Sequence, residues 1–163
     1  MLRSHHPDAR AEKVIRALES IDVHLHAWCR GKVCPSNDNR VSLFHFPLPR
    51  QSPLVLFLLP VFQISIVIQV LKNKPRVLHA VDLDTMLTAC FLSKLTGCRL
   101  VYEIYDYYPD MVSSDPVGSR LHSVLSRLDA FLLKQADEVI IVDDNRRSQI
   151  PGIPESAVAI YNS

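Results

Sequence analysis

The second half of the chain alternates between short apolar segments and helical patterns. One helical pattern begins after Asp82 or Asp84 and ends at Thr96, and a clearly amphipathic one covers Arg120–Ala136. Four strand signals stand around them: Arg76–Ala80, Cys98–Ile104, Glu138–Val142 and Ala157–Tyr161. Because strands and helices follow one another in turn, the pattern predicts an α/β domain, with a parallel sheet and helices on both faces.

The first fifty residues follow the same alternation less regularly. Apolar residues fall at helical spacing over Pro7–Ser20, and Ile21–Trp28 alternates as a strand does. Val41–Phe46 is predicted as a further short strand after a polar loop. Only Met1–His6 precedes the first helix, so the sequence leaves open whether the strand that begins such a sheet is missing or remains as Met1–Ser4.

Composition bounds the size and the broad class. A length of 163 residues is typical of one domain, and 48% hydrophobic residues are enough to build a core. The formal net charge of +1 gives no reason to expect a nucleic-acid surface. We therefore predict one domain over residues 1–163 and no nucleic-acid partner.

The four cysteines do not have the spacing of a metal site. Cys29 and Cys34 have no second close pair beside them, and Cys90 and Cys98 lie in or beside apolar segments. We predict free thiols in a reducing compartment and no bound metal. No secretory signal is visible at the N-terminus, which favours a cytoplasmic location.

The most apolar segment is 54–71, in which the polar side chains are Gln63, Ser65 and Gln69. A helix of that length would measure about 27 Å, close to the roughly 30 Å of a hydrocarbon core. A span would place neighbouring strands of one sheet on opposite sides of the bilayer. We therefore favour a helix that is buried in the protein or lies in the plane of a membrane surface. In that second case Lys72 and Lys74 would suit anionic headgroups, and Ile66 and Val70 are predicted to contact the lipid.

Polar side chains gather where the predicted strands end. Ligands of parallel α/β sheets bind beyond the carboxyl ends of strands, so these residues are the candidate site. We predict that Asp82, Asp84 and Glu103 bind substrate hydroxyls, and that Arg146 contacts a phosphate. Tyr105 and Asp106 are the predicted catalytic residues. The segment Glu103–Asp110 carries three acidic residues and three tyrosines, a combination that suits a carbohydrate.

Each of these residues also has a purely structural explanation. Asp82 or Asp84 can be the N-cap of the helix that follows, and Asp143 can cap a short helix at Asn145–Ile150. The tyrosines can be half-buried beneath a polar loop. The sequence alone does not decide between these explanations and a binding role.

Five segments, in order, resemble the N-terminal domain of the GT4-type retaining glycosyltransferases, which have the GT-B fold and are Rossmann-like. PDARAEK at Pro7–Lys13 resembles the family's DPRVEKEA, and RVLHAVDLD at Arg76–Asp84 resembles DVVHAHDLD. LVYEIYDYYPD at Leu100–Asp110 is similar to LVYDAHELYP. ADEVIIVDDNRRSQI at Ala136–Ile150 and AVAIYNS at Ala157–Ser163 resemble the last strands of that domain.

The chain departs from the family pattern at two histidines. The second histidine of HAHD is Val81 here, and the histidine of DAHE is Tyr105. These differences remove the imidazole that in the family usually contacts the sugar or the acceptor. The chain also ends at the exit toward the second domain, which in the family holds the nucleotide-sugar donor with its E-x7-E carboxylates.

The resemblance implies the acceptor-side half of a glycosyltransferase that is inactive alone. The donor-binding C-terminal domain is absent from 1–163, so no cofactor is expected, and a nucleotide-sugar donor is expected only together with that domain. The implied partners are a sugar or lipid-linked acceptor and a membrane surface contacted through 54–71. An alternative is a non-catalytic module that pairs with a separate donor-domain chain. A nucleotide-binding Rossmann domain is disfavoured because no G-x-G-x-x-G follows any strand.

Overall fold

A computed structural model describes residues 2–6, 13, 26–29, 54–112 and 116–161. The chain divides into two compact units, Met1–Lys74 and Pro75–Ser163. The helix predicted over Pro7–Ser20 lies outside the described residues except for Lys13, which is helical. The strand predicted over Val41–Phe46 and the cysteine Cys34 also lie outside them.

The first unit contains two short parallel strands. β1 covers Leu2–His6 and β2 covers His26–Cys29, with Leu2 opposite His26 and an irregularity in the register after Arg3. The strand that the sequence left in doubt at the N-terminus is therefore present as β1. The strand predicted over Ile21–Trp28 is confirmed where the structure describes it, at His26–Cys29, and residues 21–25 lie outside the described residues.

The apolar segment forms one long helix, α1, over Leu54–Asn73, with Pro60 inside it. Phe62, Ile66 and Val70 are at most 4% exposed and form a buried row at four-residue spacing. The prediction that Ile66 and Val70 contact lipid is therefore wrong. Among the described side chains of α1, the large apolar ones that are exposed are instead Val61, Ile64, Ile68 and Leu71. Over the described part of the chain, no helix combines the length and the apolar character needed to cross a bilayer.

The second unit contains a parallel sheet of four strands, as the alternation predicts. They are β3 (Val77–Val81), β4 (Arg99–Ile104), β5 (Glu138–Ile141) and β6 (Val158–Ala159), adjacent in that order. Along the first pair Ala80 lies opposite Tyr102. Tyr102 lies opposite Val139 in the next pair. The carboxyl ends of all four strands thus meet at one edge of this sheet.

Two α-helices and two 3₁₀-helices connect these strands. α2 covers Leu83–Thr96 and ends at Gly97, whose φ of 72° is left-handed and whose N–H donates to the Ser93 carbonyl at 2.8 Å. α3 covers Pro116–Leu133. The 3₁₀-helices are Tyr108–Met111 and Asp144–Ser148, and the second replaces the short helix predicted at Asn145–Ile150.

The core of this unit lies between the sheet and its helices. Right-handed crossovers between successive strands in this order place α2 and α3 on the same face. The side chains that line that face of the three longer strands are almost fully buried: Leu78, Ala80, Leu100, Tyr102, Val139 and Ile141. His79 and Glu103 belong to the opposite face because side chains alternate along a strand.

Only part of the apolar stripe predicted on the amphipathic helix is buried. Leu132 packs inside at 1% exposure, and Leu125 is half-buried. Leu121, Val124 and Phe131 are 47%, 61% and 55% exposed. The helix therefore carries more apolar surface than the fold of this unit uses.

Candidate functional site

Asp82 joins β3 to α2 in an unusual backbone conformation. Its φ of 60° and ψ of 168° lie in a region that residues other than glycine rarely adopt. Its N–H donates to the Glu103 carbonyl at 2.9 Å, which extends the pairing of β3 with β4. Its own carbonyl accepts from the Met86 N–H at 3.2 Å, so Asp82 stands at the N-cap position of α2.

The carboxylate of Asp82 points away from its own helix. Oδ1 accepts hydrogen bonds from the backbone N–H of Tyr105 at 2.8 Å and of Asp106 at 3.2 Å. No side-chain bond caps α2. The N-cap explanation is therefore right about the position of Asp82 and wrong about what its side chain does. The side chain fixes the turn that follows β4.

The hydroxyl of Thr85 closes the strand-to-helix turn from inside. It donates to the Val81 carbonyl at 2.7 Å and accepts from the Val81 N–H at 3.1 Å. Thr85 is completely buried. Sequence reasoning missed this residue, because the capping signal at the third position after an N-cap is a glutamate or glutamine rather than a threonine. The turn is thus held on one side by Thr85 and on the other by Asp82.

Glu103, which is a predicted substrate-binding residue near the end of β4, is 1% exposed. Its Oε2 is 2.8 Å from Nε2 of His79, a side chain that is 15% exposed. The two atoms are close enough for an ion pair. The structure thus places the predicted substrate-binding Glu103 against a histidine that the sequence analysis did not single out.

Two predicted site residues lie on the turn that Asp82 holds. Asp106 is exposed, and Tyr105 is half-buried. Asp84 is half-buried in the first turn of α2, two residues beyond Asp82. The fold therefore brings Asp82, Asp84, Tyr105 and Asp106 to neighbouring strand ends.

Two tyrosines attach β4 and its following turn to α3. The Tyr102 hydroxyl donates to Oδ1 of Asp129 at 2.7 Å, and the Tyr107 hydroxyl lies 2.9 Å from the Ser126 hydroxyl. Burial raises the pKa of Tyr102 well above its usual range, and the negative charge of Asp129 raises it further. Burial also raises the pKa of Asp129, although the bond from Tyr102 opposes that shift. This pair is structural, and it lies beneath the turn that carries Tyr105.

The segment after β5 is organised by capping. Oδ1 of Asp143 accepts from the Arg146 N–H at 3.2 Å, which confirms the capping explanation for Asp143. The guanidinium of Arg147 bonds to Asp144 at 2.9 Å and to the carbonyls of Glu155 and Ala157.

Arg146, the predicted phosphate contact, has a different position from its neighbour. Its guanidinium donates to Oε1 of Gln149 at 3.2 Å, and the side chain is half-buried. Hydrogen bonds from Arg147 and Tyr161 lower the pKa of Asp144. The loop is therefore held by Arg147, which leaves Arg146 at its outer side.

The described residues include no group of three histidine, cysteine, aspartate or glutamate side chains that could hold a metal ion. Cys90 and Cys98 are buried and carry free thiols. The described strand ends carry carboxylates, a phenol, a guanidinium and backbone amides. Such groups bind hydroxyls and phosphates by hydrogen bonds.

Residues 7–156 match the family model described as Glycosyl transferase 4-like domain. The chain belongs to this family. Among solved structures it is similar to sucrose-phosphate synthase from Thermosynechococcus elongatus, with a TM-score of 0.64 and 10% identity. That match covers 98% of this chain and 86% of the other. No curated protein matches the chain.

The structural match establishes the fold of this glycosyl transferase 4-like domain. At 10% identity the likeness concerns the GT-B-type, Rossmann-like architecture alone. The family match covers four of the five sequence segments that resemble GT4-type enzymes, and it ends at residue 156, directly before the fifth, which begins at Ala157. The prediction of family and fold from sequence is therefore confirmed.

Proposed function

We propose that this domain is the acceptor-side half of a glycosyltransferase that moves a sugar from a nucleotide-sugar donor to an acceptor hydroxyl. Membership of the glycosyl transferase 4-like family supports the reaction class. The observation that carries the site is the pair of hydrogen bonds that Oδ1 of Asp82 accepts from the backbone of Tyr105 and Asp106. They fix an acidic, aromatic turn at the strand ends, where α/β sheets bind ligands.

In this proposal the exposed carboxylate of Asp106 accepts a hydrogen bond from the acceptor hydroxyl and orients it for transfer. The ring of Tyr105 lies beside the acceptor sugar, at the position where relatives carry a histidine. Asp84 accepts a bond from a second hydroxyl. Glu103 is 1% exposed and buried against His79, and its contact with a substrate hydroxyl stays a prediction.

We also propose that the chain by itself does not turn over. A departing diphosphate needs several positive groups or amide donors to stabilise its charge. Arg147 is committed to the loop carbonyls, which leaves Arg146 as the candidate contact for phosphate at this edge. One guanidinium is a small counter-charge for a diphosphate. A donor-binding domain, on the same or on a separate chain, would supply the remainder.

The test has two arms. In the first, the purified chain is incubated with UDP-glucose, GDP-mannose and ADP-glucose, and release of the nucleoside diphosphate is measured. No turnover is expected, and turnover by the chain alone would contradict its incompleteness. In the second, glycan-array binding is compared between the native chain, Asp106→Asn and the control Lys94→Gln. Retained signal with Lys94→Gln and lost signal with Asp106→Asn is expected; an array with no signal would remove the acceptor assignment.

Contact with a membrane surface through α1 is a second proposal, supported by its exposed apolar row. Val61, Ile64, Ile68 and Leu71 are 45–58% exposed, and Lys72 and Lys74 follow them. The combination of an apolar row with adjacent lysines suits an anionic lipid surface. A lipid-linked acceptor would be presented by the same surface.

Vesicle flotation tests this contact with phosphatidylserine and phosphatidylcholine as the lipids. Ile64→Glu combined with Ile68→Glu is expected to abolish flotation, because both side chains are 58% exposed. Leu87→Glu, an exposed leucine on α2, is the matched control. Equal flotation of all three proteins, or none with the native chain, would count against membrane contact through α1.

A cytoplasmic location remains part of the proposal. The support is chemical, because the buried thiols of Cys90 and Cys98 are free, as is usual in a reducing compartment. Fractionation of the native host measures it directly. Recovery of the chain from an oxidising compartment would contradict it.

A further inference from the structure

The outer side of α3 carries an apolar row that is exposed among the described residues. Val117, Leu121, Val124 and Phe131 are 76%, 47%, 61% and 55% exposed, and Leu128 between them is half-buried. The row advances by four, three, four and three residues. We call these five residues the α3 seam. Seven exposed large apolar side chains on α2 and α3 together form more apolar surface than scattered exposure explains.

The spacing of the seam identifies the kind of partner. Apolar residues that alternate three and four apart follow a 3.5-residue repeat, which is the contact line of one helix on another. A second apolar line on α3, with Leu132 and Leu133, already packs inside the domain. α3 is thus apolar on two faces: one packs inside the domain, and the other, the seam, is largely exposed.

A basic row runs beside the seam. Arg120 and Arg127 on α3, and Lys134 directly after its last residue, are all exposed and stand seven residues apart, so they form one line along the outer edge of the helix and its C-terminal end. The acidic residue within α3, Asp129, is buried and bonded to Tyr102. The exposed charge next to the seam is therefore positive along its whole length.

We propose that the α3 seam binds an amphipathic helix of a partner protein, with apolar residues at alternating three- and four-residue spacing and acidic residues facing Arg120, Arg127 and Lys134. In heptad terms the seam occupies the a and d positions, and the basic row occupies g. Complementary charges at the flanking positions set the choice of partner and its orientation.

A second copy of this chain fits the seam poorly. Two α3 helices side by side and antiparallel would bring the basic rows against each other. In a parallel pair, each basic row would face the e positions Gly118, Leu125 and Leu132, which are turned toward the interior. Neither arrangement neutralises the charge, and an acidic helix does so in either direction.

The geometry also favours a helix over a bilayer. A helix lying in a membrane surface presents a broad apolar face with basic residues on both of its edges. The seam is narrow, and the basic row borders it on one side, because the other side is the interior of the domain.

α2 carries a second exposed apolar row, which the same partner would contact. Leu87, Phe91 and Leu95 are 55–62% exposed at four-residue spacing. α2 and α3 contact each other on one face of the sheet. A Cβ at Gly152 would lie 3.7 Å from that of Ala130, so Ala130 marks the flank of α3 next to β6. The seam lies on the opposite flank, the one nearer α2.

The experiment uses the full chain and two synthetic peptides of three heptads with leucine at a and d. One carries glutamate at e and g, and the other carries lysine there. Neither peptide pairs well with itself because its flanking charges repel. Binding is followed by fluorescence anisotropy of the labelled peptide, at low and at high salt.

The native chain is expected to bind the glutamate-containing peptide and not the lysine-containing peptide. Arg120→Glu combined with Arg127→Glu should weaken the binding of the glutamate-containing peptide by roughly tenfold or more. The same variant should bind the lysine-containing peptide. Lys72→Glu combined with Lys74→Glu, an equal charge change at the C-terminal end of α1, should alter the binding of neither peptide. Both arginines are exposed, so the reversal does not depend on a change in the core. Val124→Asn should also remove binding.

Three results would overturn the proposal. The first is equal binding of both peptides, or of neither, by the native chain. The second is a dimer of the native chain that Val124→Asn abolishes, which would make a second copy the occupant. The third is binding of the chain to phosphatidylserine vesicles that depends on Val124 and Phe131, with no binding of either peptide. The site at the strand ends takes no part in this test, so its outcome is independent of the proposed function.

Discussion

Oδ1 of Asp82 lies 2.8 Å from the backbone nitrogen of Tyr105, on the neighbouring strand end. The same oxygen accepts from Asp106. Asp82 holds this position with a φ of 60°, a conformation that costs about 1–3 kcal/mol in a residue other than glycine. Hydrogen bonds to a charged group contribute about 1.5–3 kcal/mol each, so two of them are enough to offset the strain. These two hydrogen bonds therefore fix the turn that carries Tyr105 and Asp106 in the candidate site.

Substitutions at Asp82 should separate the bonds from the strain. Asp82→Ala loses both bonds and keeps the unfavourable φ. Asp82→Gly loses the bonds but adopts that φ freely, so it should be more stable than the alanine variant by about 1 kcal/mol. Asp82→Asn keeps an acceptor and should be the mildest of the three. Urea denaturation measures this order, with Asp110→Ala as an exposed control. Equal stability of the alanine and glycine variants would show that the backbone strain is relieved in another way.

The Tyr102–Asp129 pair predicts a non-additive effect on stability. Tyr102→Phe leaves a 2%-exposed carboxylate without its hydroxyl donor and should cost about 1–3 kcal/mol. Asp129→Leu combined with Tyr102→Phe removes both polar groups and should recover much of that loss. A double-mutant cycle by urea denaturation measures the coupling. Additive losses would mean that the two groups do not depend on each other.

The raised pKa of Asp129 predicts a dependence of stability on pH. Burial raises this pKa above its value in the unfolded chain, near 4, so the folded state binds a proton more tightly. The resulting stabilisation is complete below the unfolded pKa and is lost as pH rises through the folded pKa. The free energy of unfolding of the native chain, relative to Asp129→Asn, should therefore fall as pH rises upward from about 4 and then become constant. A difference that grows with pH would reverse the sign and exclude burial as the cause.

Much of the fold follows from sequence because its signals are local. The four strands of the second unit and both of its helices were predicted close to their observed bounds from apolar periodicity, and Gly97 marked the end of α2. The strand ends were predicted as the site for the same reason, since topology brings them together.

Contacts between distant residues could not be predicted in the same way. The hydrogen bonds that Asp82 accepts from Tyr105 and Asp106 occur with a positive φ at an aspartate, which no local pattern indicates. The buried face of α1 was assigned incorrectly, because apolar residues on nearly every side conceal which row packs inside. Pairing of Tyr102 with Asp129 depends on the placement of α3 over β4.

Replacing each of the two adjacent arginines after β5 by alanine should change the stability of the protein by different amounts. Arg147 donates to the carbonyls of Glu155 and Ala157, which connect the loop to the start of β6. Its side chain is 35% exposed, so solvent screens part of the effect, and Arg147→Ala should cost about 1 kcal/mol. Arg146→Ala should change stability by less than about 0.5 kcal/mol, because its bond to Gln149 is exposed. Thermal unfolding of both variants, with Arg127→Ala as a control on α3, measures the contrast. If Arg146 instead proved the more costly to remove, the loop would be held from its outer side, and Arg146 would lose its place as the candidate phosphate contact.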